Sequence, residues 1–79
     1  MIHFPIIPKL QIGKLYQINR NLYIWDSYTD SRIYIDDIEE NDLLVLLDFY
    51  AHYWYKILTI KGTVGWLCAP SVAFKEIKK

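Results

Sequence analysis

Two runs of aromatic and β-branched residues, Tyr53-Trp54-Tyr55-Lys56-Ile57-Leu58-Thr59-Ile60 and Val64-Gly65-Trp66-Leu67-Cys68, are separated by Lys61-Gly62-Thr63. This pattern predicts a β-hairpin. Tyr, Ile and Thr suit a pleated, half-buried surface, and Gly62 can take the positive φ that a tight or bulged turn demands. Gly65 breaks the second run. A glycine inside a strand marks a bulge, a sharp bend or a close approach of another backbone, so the hairpin is expected to belong to a small, strongly bent sheet.

The chain has 79 residues, which allows one domain and one core. Its composition is 53% hydrophobic and 16% aromatic, with seven Tyr and three Trp. That is outside the low-hydropathy, high-charge signature of disorder. The single cysteine, Cys68, cannot close an internal disulfide and reads as an inert thiol buried in an apolar run. A reducing compartment fits this usage. The N-terminus has no basic segment followed by an apolar stretch and a small-residue cleavage site, and no apolar run approaches a membrane span, so a cytoplasmic location without membrane association is expected.

Nine Lys and Arg balance nine Asp and Glu. The long-range attraction on which sequence-independent nucleic-acid binding depends is therefore missing, and a nucleic-acid partner is not expected. The distribution is more informative than the sum. Eight acids (Asp26, Asp30, Asp36, Asp37, Glu39, Glu40, Asp42, Asp48) stand against Arg32 alone between positions 26 and 48, and both ends of the chain are basic.

Taken in order, residues 1–13 contain Pro5 and Pro8, which fix φ and remove two donors, so this stretch reads as an extended arm ending at Gly13. The folded domain is expected over residues 14–79. Lys14-Leu15-Tyr16-Gln17-Ile18 alternates as a strand with one wet face, Asn19-Arg20-Asn21 turns, and Leu22 to Trp25 resumes as strand. Residues 26–35 begin as polar loop and end as a short β-prone run, a long irregular hairpin of the kind that tends to carry function. Asp36 to Asp42 is an acidic turn where a helix could compete. Leu43 to Leu47 reads as a strand buried on both faces, and Phe49 to His52 as a connection. Ala69-Pro70-Ser71 then breaks the chain with a turn, with a 3₁₀ turn expected near Pro70, and Val72 to Phe74 is a brief terminal strand. Short strands with turn signals between them describe an all-β domain, and a barrel leaves the least exposed edge. Leu22, Leu44, Leu46, Ile57 and Leu67 are the expected core.

Trp54-Tyr55-Lys56-Ile57, the turn around Gly62, and Gly65-Trp66-Leu67 resemble the second half of Src-homology-3 domains, particularly the bacterial ones. Leu22-Tyr23-Ile24-Trp25 resembles the family's A-L-Y-D-Y strand, and the acidic turn before Leu43 resembles its diverging turn, with Asn41 where glycine is usual. The resemblance spans about residues 14–74. It implies a small five-stranded barrel and a peptide groove lined by Tyr23, Trp25, Trp54 and Trp66. Cys68 stands where the groove has proline and Ser71 where it has tyrosine, and both departures thin the proline-binding ridge.

Catalysis has little support, because no nucleophile, base and orienting group are brought together by the pattern. His3, His52 and Cys68 lack metal-ligand spacing, and no glycine-rich loop precedes a helix, so neither a metal nor another cofactor is expected. The aromatic set carries the functional signal, although several of these rings must also supply the core of so small a chain. Trp and Tyr faces accept cations, and Asp26, Asp30 and Asp48 lie in adjacent loops or strand ends, an arrangement suited to a basic peptide or protein surface. The leading expectation is a non-catalytic interaction module. A structural or regulatory subunit, with the barrel as scaffold, is the alternative, and cell-wall or nucleic-acid binding is a third class. Finally, Pro5, Pro8 and Lys9 have the P-x-x-P spacing followed by a basic residue, so the arm is a candidate for self-association, against the simpler reading of a frayed terminus.

Overall fold

The computed structural model describes residues 10–51 and 53–77. Seven antiparallel strands form one sheet: β1 (Leu15–Ile18), β2 (Leu22–Trp25), β3 (Tyr34–Ile38), β4 (Leu43–Tyr50), β5 (Trp54–Thr59), β6 (Val64–Cys68) and β7 (Phe74–Glu76), with a 3₁₀ turn at Ser71–Ala73. Their order across the sheet is β3-β2-β6-β5-β4-β1-β7. The domain is therefore all-β, as the strand pattern implies. The expected five-stranded barrel is corrected to seven strands in one open sheet, not closed into a barrel, whose outer members are β3 and β7. Two of the expected strands are displaced along the chain: the β-prone run expected to end at Ile35 continues to Ile38, and the terminal strand expected at Val72 to Phe74 lies at Phe74–Glu76, with Ser71–Ala73 forming the 3₁₀ turn. Acidic Tyr34-Ile35-Asp36-Asp37-Ile38 pairs with β2, and Phe74-Lys75-Glu76 pairs with β1.

One face of this sheet is dry. Ile18, Ile24, Ile38, Leu44, Leu46, Ile57 and Leu67 are fully buried, and Tyr16, Tyr55 and Phe74 close one end through edge-to-face contacts at 6.1 and 4.8 Å. Four of the five expected core residues are in this set, while Leu22 is half-buried against it. The leucine run does not bury both faces. Leu44 and Leu46 point inward, and Leu43, Val45 and Leu47 are half-covered. Leu10 also packs on the core, and the Gly13 amide donates to the Leu46 carbonyl at 2.7 Å, so residues 10–13 belong to the folded body. The remainder of the expected arm, including Pro5, Pro8 and Lys9, lies outside the described residues.

Gly65 has the close approach its position implied. A Cβ there would sit 2.8 Å from the Trp25 carbonyl oxygen and 2.9 Å from Ile35 Cδ1, and nearer still to Ile24 Cγ2. The absent side chain is what lets β2 and the tip of β3 bend across β6. Asn41 takes φ 76° and Gly62 φ 93°, the left-handed conformations expected of both. The acidic stretch from Asp36 to Asp42 is strand followed by turn, not helix. That turn is fastened to its surroundings by polar groups. Asn41 N donates to Ile18 O at 2.8 Å, Glu40 N to Asn21 Oδ1 at 2.8 Å and Gln17 Nε2 to Asn41 O at 3.1 Å.

Candidate functional site

The opposite face of strands β2, β6, β5 and β4 carries the three tryptophans and several of the tyrosines. Strict alternation places Tyr23 and Trp25, Trp54 and Lys56, and Trp66 and Cys68 on that face, because Ile24, Tyr55, Ile57, Gly65 and Leu67 take the inward positions. The register then sets them in rows. Trp25 lies opposite Trp66, Trp66 opposite Lys56, and Lys56 opposite Asp48, and in the next row Cys68, Trp54 and Tyr50 follow one another across β6, β5 and β4. Cys68 is exposed here, which corrects the expected buried thiol. Its place in an apolar run was a weak guide, since each residue on an outward strand position faces away from the core whatever its neighbours are.

Two register shifts add rings that alternation alone would direct elsewhere. Between Ile24 and Trp25 the pairing slips, so that Trp25 meets Tyr34 with Ile35 left over, and between Leu46 and Asp48 it slips again past Leu47. Each extra residue inverts the facing of everything beyond it. Tyr34 thereby joins Tyr23 and Trp25 in a mutually edge-on triad at 5.7 to 6.2 Å. Asp48 and Tyr50 likewise turn to the outer face alongside Lys56 and Trp54.

The loop between β2 and β3, residues 26–33, lies over this surface. Its neck is closed by Asp26 and Ile33: the Asp26 amide donates to the Ile33 carbonyl at 2.9 Å, and the Ile33 amide donates to Asp26 Oδ1 at 2.7 Å. From the loop, Tyr28 stacks on Tyr50 (4.1 Å between centroids, 16° between planes) and meets Trp66 edge-on at 4.9 Å. Arg32 reaches further. Its guanidinium carbon lies 5.0 Å from the Trp25 ring centroid and 5.2 Å from that of Trp54, and its Nη1 donates to the Thr29 carbonyl at 3.2 Å. No ion pair holds Arg32 among the described residues.

The four aromatic residues singled out from the sequence are thus on one surface, and Arg32 contacts two of them. The acids are not all with them. Asp48 is on the aromatic face beside Lys56, Asp26 forms the loop neck and Asp30 is exposed at the loop tip. Asp36, Asp37, Glu39 and Asp42 instead line a separate cleft of about 340 Å³ with Thr59 and Lys61. There the Asp37 amide and the Thr63 hydroxyl donate to the Asp36 carboxylate, and Lys61 lies 3.9 Å away, which together hold its pKa below the ordinary value. Tyr34 is displaced upward, first by its hydrogen bond to Asp37 and then by burial and the neighbouring negative charges.

Sequence reasoning missed Tyr28, Arg32, Tyr34 and Tyr50. Arg32 had a visible signal, as the one cation among eight acids. Among the described residues no three His, Cys, Asp or Glu side chains gather as a metal site, and no helix is long and apolar enough to cross a membrane. No protein-family model, curated protein or solved structure matches the chain.

Proposed function

We propose that this chain is a non-catalytic interaction module of Src-homology-3-like architecture, whose aromatic face binds a basic peptide or protein surface. The contact of Arg32 with Trp25 and Trp54 carries the reading. A guanidinium is weakly hydrated and planar, and it gains from π-faces that a hydrated ammonium uses less well. The face that receives it from within the chain has the chemistry to receive it from a partner. Asp48 on that face, and Asp26 and Asp30 in the loop over it, supply negative charge that steers a cationic ligand and disfavours an acidic one. The architectural part of the proposal is supported by the order of elements: a long β2–β3 hairpin, a turn with Asn41 in the left-handed conformation, the β4-β5-β6 meander, and a 3₁₀ turn before the last strand.

The test is a fluorescence titration with acetyl-tetra-arginine amide at two ionic strengths. Raising salt from about 0.1 M to about 1 M shortens the Debye length from about 10 Å to about 3 Å, so affinity is expected to fall at least about fivefold. Asp30→Lys with Asp48→Lys should weaken the low-salt complex to a similar degree. Binding indifferent to both changes refutes the proposed charge steering.

A further inference from the structure

We infer that Arg32 is a resident competitor: the 26–33 loop seats its own guanidinium in the site that a partner's arginine takes, and the ligand binds by displacing it. The inference rests on the proposed basic-peptide reading and adds to it both the side chain recognised and the way access is controlled.

The geometry supports displacement rather than a permanent plug. Among the described residues the hydrogen bonds of the loop join it to itself, Asp26 with Ile33, Arg32 with Thr29, and Ser27 with Thr29, and none reaches the sheet beneath. Tyr28 and Arg32 supply its ring contacts with that sheet. Residues 28–33 are exposed, so the loop can lift about its neck without uncovering buried core. A carboxylate partner would have locked Arg32 down, and no such ion pair is present among the described residues. A lone cation held by two indoles, within a segment otherwise rich in acids, has the character of an exchangeable occupant.

Two exposed cation–π contacts close the site by about tenfold, and apparent affinity is reduced by the fraction of molecules in which it is open. The experiment compares the wild type with Arg32→Ala and Arg32→Lys, titrated with acetyl-tetra-arginine amide and with its tetra-lysine counterpart, following the indole N–H resonances of Trp25 and Trp54. Arg32→Ala should bind tetra-arginine about tenfold more tightly than wild type. Arg32→Lys should also bind more tightly, by about threefold, and since it keeps the charge, that gain separates competition from electrostatics. Binding to wild type should release the Tyr28 ring from Tyr50, seen as loss of ring-current shifts. Tetra-arginine should be preferred to tetra-lysine throughout.

If Arg32→Lys binds no more tightly than wild type, the resident-competitor inference is overturned while the basic-peptide reading stands. If tetra-arginine binds neither wild type nor the variants, both fall. A gain seen only with Arg32→Ala and abolished at high salt is a charge effect, and it also overturns the inference.

Discussion

The two faces of β5 and β6 are made by alternate residues of the same strands, yet they are built on different chemistry. Inward lie Ile57, Leu67 and the bare backbone of Gly65, and outward lie Trp54, Lys56 and Trp66. The inner face is fully excluded from water and is held by shape, so it tolerates neither a missing methyl nor an added one. The outer face is half-covered and held by ring contacts and a cation. It can give up a contact and re-form it with something else. Stability therefore resides mainly on one face and exchangeable binding on the other, with a single strand backbone between them.

Neighbouring substitutions on β6 and β5 test this division most severely. Leu67→Ala is expected to cost about 2 to 5 kcal/mol, a large part of the stability available to a domain of this size. Trp54→Ala should shift the urea midpoint less than half as far while abolishing the tetra-arginine response. A Trp54 variant as unstable as Leu67→Ala would erase the distinction between the faces.

Gly65→Ala is the next largest. Alanine is ordinarily preferred over glycine in a strand, but here its Cβ meets Ile24 Cγ2 and the Trp25 carbonyl. The clash should dominate, at about 1 to 3 kcal/mol destabilising by thermal or chemical denaturation. A neutral result would mean that β2 is free to move away from β6, and that the sheet is less tightly bent than described.

The smallest effect separates two tyrosines whose pKa values are both raised, for different reasons. On the inner side burial raises Tyr55, whereas on the outer side the hydrogen bond to Asp37 leads for Tyr34. For Tyr55 the folded pKa exceeds the unfolded value of about 10, so the folded state holds its proton longer. Its contribution is complete below about pH 10 and is lost as pH rises through the folded pKa. Tyr55→Phe should accordingly flatten the alkaline fall in stability, measured by urea denaturation from pH 9 to 11.5. An unchanged slope would remove Tyr55 from the titrating set.

Much of this was legible in the residues. The β5–β6 hairpin, the left-handed Asn41 and Gly62, the close approach at Gly65, the 3₁₀ turn after Pro70 and four of the five core positions follow from local patterns. Period-two alternation and backbone stereochemistry act over a few residues, and those are the distances a sequence displays directly. The common facing of Tyr23 and Trp25 was likewise legible, as were the outward positions of Trp54 and Trp66 once Ile57 and Leu67 were assigned inward.

The completed site required the tertiary structure. Tyr34 and Tyr50 reach the aromatic face because the ladder skips Ile35 and Leu47, and a one-residue slip reverses every facing beyond it. No local propensity marks those two positions, because a bulge is settled by how the whole bent sheet closes over its core. Arg32 likewise reads as one cation in an acidic loop. Its place between Trp25 and Trp54 exists only after β2 and β5 have been brought to either side of β6, contacts made between residues far apart in the chain.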